Sequence, residues 1–289
     1  MLFDKLGART GFVSPSLSGS DRRIEKARTQ RAIFVTSWDD GHPLDLRLAE
    51  VLHRHGFPAT FFVPGRNRDN RDREPGQPDR PVVSASQLRV LGSTFEIGSH
   101  TLDHCYLNEV GDREAERQIV EGKAVIEDIL GEPVSGFCYP GGQLRAKHRR
   151  MVREAGFVYA RTIANLNSSS YFDRCAIPTT MQFYPHSSAT LVSNYVRFGQ
   201  WRERSGLLRV VLHNTSLISR LRAALDYVCE RGGIFHLWGH SWEIEEFGGW
   251  ALLDEFLGYV DERVPAADRY DTYEAFLFES NATASPQLS

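Results

Sequence analysis

The sequence lacks the features that mark several large classes of protein. Its 289 residues include four cysteines, and no two of them form a CxxC pair, which argues against a zinc ribbon or a disulfide framework. No apolar run approaches the length needed to cross a bilayer. The N-terminal segment has no apolar core of the signal-peptide type. We therefore expect a cytoplasmic protein without a membrane span.

The sequence also lacks a block of positive charge. Lys and Arg number 34 against 37 Asp and Glu, which gives a formal net charge of −3. Binding a nucleic acid backbone needs a concentrated basic surface, so we expect no nucleic acid partner. The hydrophobic fraction of 41% suffices for a globular core. We find no internal repeat, and we predict a polar extension at residues 1–30 and a single catalytic domain at residues 31–289.

Strand-like and helix-like segments alternate from residue 31 onward. Short apolar segments predict strands at residues 32–36, 59–63, 95–98, 134–139, 157–162 and 234–238. Helical spacing or helix-capping residues predict helices at residues 43–55, 84–91, 112–130, 148–155, 217–231 and 250–260. Residues 67–80 resemble a surface loop, and residues 163–206 give no clear pattern. Repeated strand–helix units predict an α/β fold with a parallel sheet or barrel.

Chemically reactive residues follow five of the predicted strands. In parallel α/β folds the functional site lies at the carboxyl ends of the strands. One Asp and two His can ligate a single divalent metal, and a remaining carboxylate can act on water. The residues at these strand ends are Asp39 and Asp40, His100 and His104, Tyr139 to Gly141, Arg161, and His240.

Each of these signals has a purely structural alternative. An Asp-Asp-Gly segment is often only a turn, and two histidines four residues apart are often surface residues of one helical turn. The segment Pro140 to Gly142 is typical of a tight turn. Arg161 could pair with a surface carboxylate. The combination of the motifs favours a metal site over these separate explanations.

The motifs resemble those of the polysaccharide deacetylases, also called carbohydrate esterase family 4 or the NodB homology domain. Residues 36–41 (Thr-Ser-Trp-Asp-Asp-Gly) are similar to the first motif, and residues 100–104 (His-Thr-Leu-Asp-His) match the second. The resemblance implies that Asp39 is the general base and that Asp40, His100 and His104 bind one divalent metal. It also implies a distorted (β/α) barrel. The ligand types suit Zn²⁺, with Co²⁺, Mn²⁺ or Ni²⁺ as alternatives.

The third motif departs from the family pattern. Residues 138–142 (Cys-Tyr-Pro-Gly-Gly) resemble Arg-x-Pro-x-Gly, but Cys138 stands where the family has the arginine that orients the catalytic Asp. Arg161 is the candidate replacement. The resemblance places the oxyanion donor at the Gly141 N–H, and we assign Tyr139 and Pro140 to substrate binding.

The last motif supplies the catalytic acid. Residues 234–243 end in His-Ser-Trp-Glu, and the resemblance assigns the acid to His240, with His213 as a rival on local pattern. The Asp that normally orients this histidine has no convincing match, and Asp173 is a weak candidate. His236 and Trp238 share a strand face with His240, so they either line the substrate pocket or pack in the core.

These observations predict a metal-dependent hydrolase that removes an N-acyl group, typically N-acetyl, from an amino sugar or glycan. A sugar intermediate of cell-surface polysaccharide biosynthesis would suit the absence of an export signal. Two alternatives remain open at this stage. One is a carbohydrate-binding relative with impaired catalysis. The other is an amidase of the same fold that acts on a non-sugar C–N bond.

Overall fold

The computed structural model describes residues 31–66, 81–169 and 173–284. The predicted N-terminal extension at residues 1–30 and the predicted loop at residues 67–80 lie outside these ranges.

A parallel β-sheet forms the centre of the protein, as the sequence predicts. Eight strands of the described ranges belong to it: β1 (Ala32–Asp39), β2 (Thr60–Val63), β3 (Glu96–Ser99), β4 (Gly136–Cys138), β5 (Tyr159–Arg161), β6 (Met181–Gln182), β7 (Gly233–Gly239) and β8 (Arg269–Tyr270). Their order in the sheet is β5-β4-β3-β2-β1-β7-β6, and β8 also pairs with β1. Each of these pairings is parallel.

Ten α-helices lie in the described ranges. Two of them, Asp112–Leu130 and Leu217–Arg231, have the limits that the sequence predicts. Gly131 ends the first helix in a left-handed conformation, and Gly232 ends the second. The helices are α1 (Asp45–Arg54), α2 (Ala85–Gly92), α3 (Asp112–Leu130), α4 (Ala146–Glu154), α5 (Ser188–Phe198), α6 (Trp201–Leu212), α7 (Leu217–Arg231), α8 (Ser241–Glu246), α9 (Trp250–Arg263) and α10 (Thr272–Ala284).

The central strand β1 is buried on both of its faces. Phe34 and Trp38 pack into the main core with the outer helices, whereas Val35 packs on the other face, toward Ala275 of α10. A continuous apolar run is typical of such a strand. Because side chains alternate along a strand, Asp39 lies on the same inner face as Val35.

The segment 177–182 links the two edges of the sheet. At its start, Ile177 N–H donates to the Ala160 carbonyl beside β5 at 2.8 Å. At its end, Thr180 N–H donates to the His236 carbonyl of β7 at 2.9 Å, and Met181 pairs with β7. The curled sheet therefore forms the distorted (β/α) barrel that the resemblance implies.

Helix α10 packs against the end of the barrel where the strands begin. Tyr273 and Phe276 stack on the ring of Tyr159 in β5, with centroid distances of 6.3 and 6.1 Å. The Tyr273 N–H donates to a carboxylate oxygen of Glu96, the first residue of β3, at 3.1 Å. The strand carboxyl ends, where the motif residues lie, are at the opposite end. None of the described helices has the length and hydrophobicity of a membrane-spanning helix.

Candidate active site

Asp40, His100 and His104 lie together at the carboxyl ends of β1 and β3. The His104 Nε2 atom is 3.0 Å from Asp40 Oδ1, and the His100 Nε2 atom is 3.7 Å from the same oxygen. One ligand atom from each side chain lies within 4.8 Å of the other two. Two imidazoles and a carboxylate form a donor set that suits zinc and similar divalent ions. The three residues could therefore hold one metal ion.

The backbone at these residues adopts an unusual conformation. Asp40, Thr101 and His104 have φ angles of 80°, 66° and 58°, in the left-handed region that residues other than glycine rarely enter. Such positions cost about 1 kcal/mol or more each and concentrate at functional sites. Side-chain hydrogen bonds involve two of them: Thr101 Oγ1 accepts from the Cys105 N–H at 3.0 Å, and Trp242 Nε1 donates to Asp40 Oδ2 at 3.0 Å.

A backbone carbonyl fixes the tautomer of His100. Its Nδ1 atom is 2.8 Å from the carbonyl oxygen of Cys138, which can only accept, so Nδ1 carries the proton. The lone pair is then on Nε2, which faces Asp40. Burial lowers the pKa of His100 to about 3, so the ring is neutral. A neutral imidazole with a fixed tautomer is the form that binds metals.

Helix α3 holds the loop that carries the two histidines. Gln118 accepts from the Asp103 N–H at 2.9 Å and donates to the Asp103 carboxylate at 2.7 Å. A Cβ atom at Gly122 would lie 2.6 Å from the backbone carbon of Thr101. Only glycine at this position permits the observed approach of helix and loop.

Asp39 pairs with Arg161 inside the barrel, and both side chains are buried. Arg161 Nη2 donates to Asp39 Oδ1, and the guanidinium lies 5.1 Å from the ring centroids of Phe62 and Trp238. Burial alone would lower the pKa of Arg161, but the charge of Asp39 outweighs this effect and raises it. Arg161 is therefore a permanent cation that holds one oxygen of Asp39.

Cys138 and Arg161 are direct partners in the pairing of β4 with β5. Arg161, the residue that the sequence suggests in place of an arginine at position 138, thus lies on the adjacent strand at the same level of the sheet. The Cys138 Sγ atom is 3.7 Å from Asp39 Oδ2. Burial raises the pKa of this thiol well above its usual value, so it is protonated and does not favour a metal site made of Asp39, His100 and Cys138.

His240 forms a pair with Glu243 three residues later. The His240 Nδ1 atom is 2.7 Å from Glu243 Oε2, to which Gln182 Nε2 also donates at 2.9 Å. Burial disfavours the charged imidazole, but Asp40 and Glu243 more than offset it and raise the pKa of His240 to about 9. The ring of Trp242 packs 5.1 Å from that of His240, which connects this pair to Asp40.

Sequence reasoning missed Glu243 as the partner of His240. The sequence candidate, Asp173, instead forms a half-exposed ion pair with Arg149 at 2.9 Å. The spacing of His240 and Glu243 could have indicated this pair, because residues three apart at the start of a helix share one face. The rival His213 is exposed at the end of α6, where its ring bonds to the Arg209 carbonyl.

The segment after β4 forms a 3₁₀ turn at Pro140–Gly142. Gly141 has a φ of 59°, and a Cβ atom there would lie 2.9 Å from the ring of Tyr106. Since that ring packs 5.9 Å from His104, the turn adjoins the three metal-ligand candidates. Pro140 and Tyr139 are buried, and the Tyr139 hydroxyl donates to the Cys175 carbonyl at 3.0 Å.

His236 and Trp238 occupy different levels on the inner face of β7. Trp238 reaches the site, with its ring 5.6 Å from that of His240. His236 lies deeper, hydrogen-bonded to Ser37 Oγ at 2.8 Å. It lines an internal cavity of about 10 Å³, which is room for about one water. Burial, together with the charge of Arg161, lowers the pKa of His236 well below its usual value.

Comparison with known proteins identifies relatives by sequence. Residues 26–160 match the family model described as polysaccharide deacetylase. The peptidoglycan-N-acetylglucosamine deacetylase of Bacillus cereus is 35% identical over 159 residues, which cover 54% of this chain and 64% of that protein. The chitooligosaccharide deacetylase of Azorhizobium caulinodans is 30% identical over 143 residues, which cover 49% of this chain and 61% of that protein. The matches therefore span less than two thirds of these relatives.

Solved structures support the fold. A candidate polysaccharide deacetylase from Mycobacterium smegmatis aligns with a TM-score of 0.60 at 16% identity, covering 91% of this chain and 94% of that chain. A peptidoglycan deacetylase from Bacillus subtilis aligns with a TM-score of 0.51 at 15% identity, covering 88% of this chain and 94% of that chain. At these identities the likeness concerns the barrel alone.

Proposed function

Because residues 26–160 of this chain match the polysaccharide deacetylase family model, we propose that it is a metal-dependent hydrolase of that family that removes an N-acyl group from an amino sugar or glycan. The observation that carries the proposal is the grouping of Asp40, His100 and His104 beside the buried Asp39–Arg161 pair. A binding protein without catalysis has no need for a buried, cation-paired carboxylate next to a ligand set. The names of the relatives favour a sugar over a non-sugar amide.

Asp40, His100 and His104 would hold the metal, which we propose to be Zn²⁺, with Co²⁺, Mn²⁺ or Ni²⁺ as alternatives. The neutral His100 ring with its proton on Nδ1 fits this role. A bound divalent ion supplies Lewis acidity toward the acyl carbonyl and the attacking water.

Asp39 would accept the proton of the attacking water. Arg161 holds its Oδ1 atom, whereas among the described residues Oδ2 accepts only from the Cys138 thiol, a weak donor, at 3.7 Å. Oδ2 is therefore the oxygen that would take the proton. Attack on the amide carbonyl creates a tetrahedral oxyanion, and the Gly141 N–H would donate to it. Gly141 lies beside Tyr106, which contacts His104, so this donor adjoins the proposed metal ligands.

His240 would protonate the leaving amine. Glu243 occupies its Nδ1 atom, which leaves Nε2–H for the substrate. With a pKa raised to about 9, the ring is protonated at neutral pH, as a general acid must be. Protonation of the amine prevents the tetrahedral species from collapsing back to the amide. Trp238 packs against both His240 and Arg161 and would contact the sugar.

The test is acetate release by the purified full chain. Protein stripped of metal and reloaded with zinc, cobalt, manganese or nickel is assayed on N-acetylglucosamine oligosaccharides. We expect metal-dependent acetate release that His104→Ala abolishes and that His213→Ala, a change at an exposed histidine, preserves. Metal binding with no acetate release from any sugar would overturn the deacylase assignment in favour of a binding protein.

A further inference from the structure

A groove of about 580 Å³ opens beside the Pro140–Gly142 turn. Gly142 and Asn108 line it next to the proposed oxyanion loop. Phe198, the last residue of α5, and Gln200, which precedes α6, also line it. Because Gly142 follows Gly141, the groove begins at the turn that adjoins the metal-ligand candidates. A substrate whose amide lies at those candidates can extend into this groove.

Among the described residues, three arginines and one carboxylate line the groove. Arg149 pairs with that carboxylate, Asp173, at 2.9 Å. Arg145 donates to the Asn108 carbonyl at 3.5 Å, and the Arg197 guanidinium lies 5.3 Å from the Phe198 ring. Within the described ranges neither Arg145 nor Arg197 forms an ion pair. The groove thus concentrates positive charge on a chain whose formal net charge is −3.

Amide side chains line the same groove as the arginines. Asn167 donates to Gln200 at 3.2 Å, which ties the loop after β5 to the start of α6, and Gln143 lines the same groove. Amides hydrogen-bond to sugar hydroxyls and to anionic oxygens alike. A guanidinium presents two parallel N–H donors, which match a phosphate or a carboxylate.

We propose that this groove binds an anionic group, a phosphate or a carboxylate, that is part of the substrate. The protein then acts on a negatively charged amino-sugar conjugate in preference to a neutral one. This inference rests on the proposed function for the position of the reacting amide. The charge recognition itself depends on Arg145 and Arg197, the two groove arginines that pair with no carboxylate of the described residues.

The experiment compares three N-acetylated probes at equal metal loading. UDP-N-acetylglucosamine carries phosphate, a disaccharide of glucuronic acid and N-acetylglucosamine carries a carboxylate, and diacetylchitobiose is neutral. The wild type is compared with Arg145→Gln/Arg197→Gln. The matched control is Arg113→Gln/Arg153→Gln, which removes the same charge from exposed positions of α3 and α4. Thermal melting checks that all variants fold.

We expect wild-type kcat/KM to favour one of the anionic probes over the neutral one, and the preferred probe identifies the anion. In the groove variant Arg145→Gln/Arg197→Gln this preference decreases about tenfold, because KM for the anionic probe rises. In the wild type the preference decreases as the ionic strength is raised. The control variant keeps the preference. Equal preference for neutral and anionic probes in the wild type, or an unchanged preference in the groove variant, would overturn the inference.

Calorimetric binding of the same probes separates this inference from the proposed function. If no probe is deacetylated but the anionic probe binds and the groove variant loses that binding, the groove assignment stands and the deacylase assignment fails. If all probes are deacetylated with equal efficiency, the deacylase assignment stands and the groove assignment fails.

Discussion

Arg161 brings a positive charge to a position that would otherwise bury Asp39 alone. The neighbouring Cys138 is small enough to leave room for the guanidinium, and its neutral thiol adds no competing charge. The packing of Arg161 between Phe62 and Trp238 restricts its movement. At the scale of single residues, this pair fixes which oxygen of Asp39 faces the proposed substrate.

Replacement of Arg161 should affect stability and catalysis separately. In Arg161→Met the buried Asp39 loses its cation, and we expect the free energy of unfolding to fall by about 3–5 kcal/mol. The double variant Asp39→Asn/Arg161→Met should regain most of that stability, because no charge remains buried, but it should release no acetate. Denaturant unfolding and acetate release measure the two effects. Wild-type kcat in folded Arg161→Met would contradict the orienting role of this residue.

Glu243 should determine both the orientation and the charge of His240. In Glu243→Gln we expect kcat to fall by about tenfold or more, with a smaller change in KM. The acid form of His240 is lost as pH rises through its pKa, and Glu243 raises that pKa. The alkaline limb of the pH–rate profile should therefore move to lower pH in the variant. The control Glu246→Gln, at an exposed position of the same helix α8, should leave the alkaline limb of the pH–rate profile unchanged. Equal shifts of this limb in both variants would contradict the specific role of Glu243.

At the scale of elements, the packing of α3 on the loop at residues 100–104 decides where the histidines lie. Gly122→Ala places a methyl group within 2.6 Å of the Thr101 backbone, so the loop must move. We expect zinc affinity, measured by chelator competition, to fall by about tenfold, the range seen for residues that orient metal ligands. Gly258→Ala in α9 meets no atom within 4 Å and should keep zinc affinity while stabilising its helix by up to about 1 kcal/mol. Unchanged zinc affinity in Gly122→Ala would show that the loop tolerates the displacement.

Elements with their own local signals were predictable from the sequence. Helix α3 is bounded by glycines, and Ser84 with Gln87 forms a capping box before α2. Helix α10 was not predicted, because the consecutive apolar residues at 275–278 follow no single helical face. The two-residue strands β6 and β8 carry no periodic signal, since they exist only through their pairing with β7 and β1.

At the scale of the whole molecule, Glu96 joins β2, β3, β5 and α10 at the base of the barrel. The hydroxyls of Thr60 and Tyr159 donate to its carboxylate at 2.5 and 2.8 Å. Burial, together with repulsion from Asp271, nevertheless raises its pKa to about 8 from 4.5. The pKa of Asp271 is also raised, to about 6. The folded protein therefore holds protons here that the unfolded chain releases.

This difference in proton binding should make stability depend on pH. Below pH 4.5 both states keep the Glu96 proton, and above that value only the folded state does, so the contribution of this proton to stability should decrease as pH rises toward about 8. The total effect is on the order of a few kcal/mol. Glu96→Gln should flatten the pH dependence of unfolding between pH 5 and 8, whereas Glu132→Gln, at an exposed position, should retain it. A pH dependence of unfolding that is the same in Glu96→Gln as in the wild type would contradict the assignment.

The sequence by itself determined the local parts of this protein. The adjacent Asp39 and Asp40, and the histidines four residues apart, are short-range patterns that the order of residues displays directly. The same holds for the helices with glycine or serine at their ends. It also holds for the alternation of strand-like and helix-like segments that implies a parallel barrel. These features depend on backbone conformation and side-chain spacing within about one helical turn or one strand.

Only the tertiary structure decided the contacts between distant segments. Arg161 reaches Asp39 across 122 positions of sequence because β4 and β5 pair in one particular register. The arginines of the groove meet because α5, which carries Arg197, folds to the same side of the barrel as α4 and its N-cap residue Arg145. Burial, which sets the pKa of His100 and of Glu96, is a property of the packed core. Since each of these depends on which surfaces meet, the order of residues alone could not reveal them.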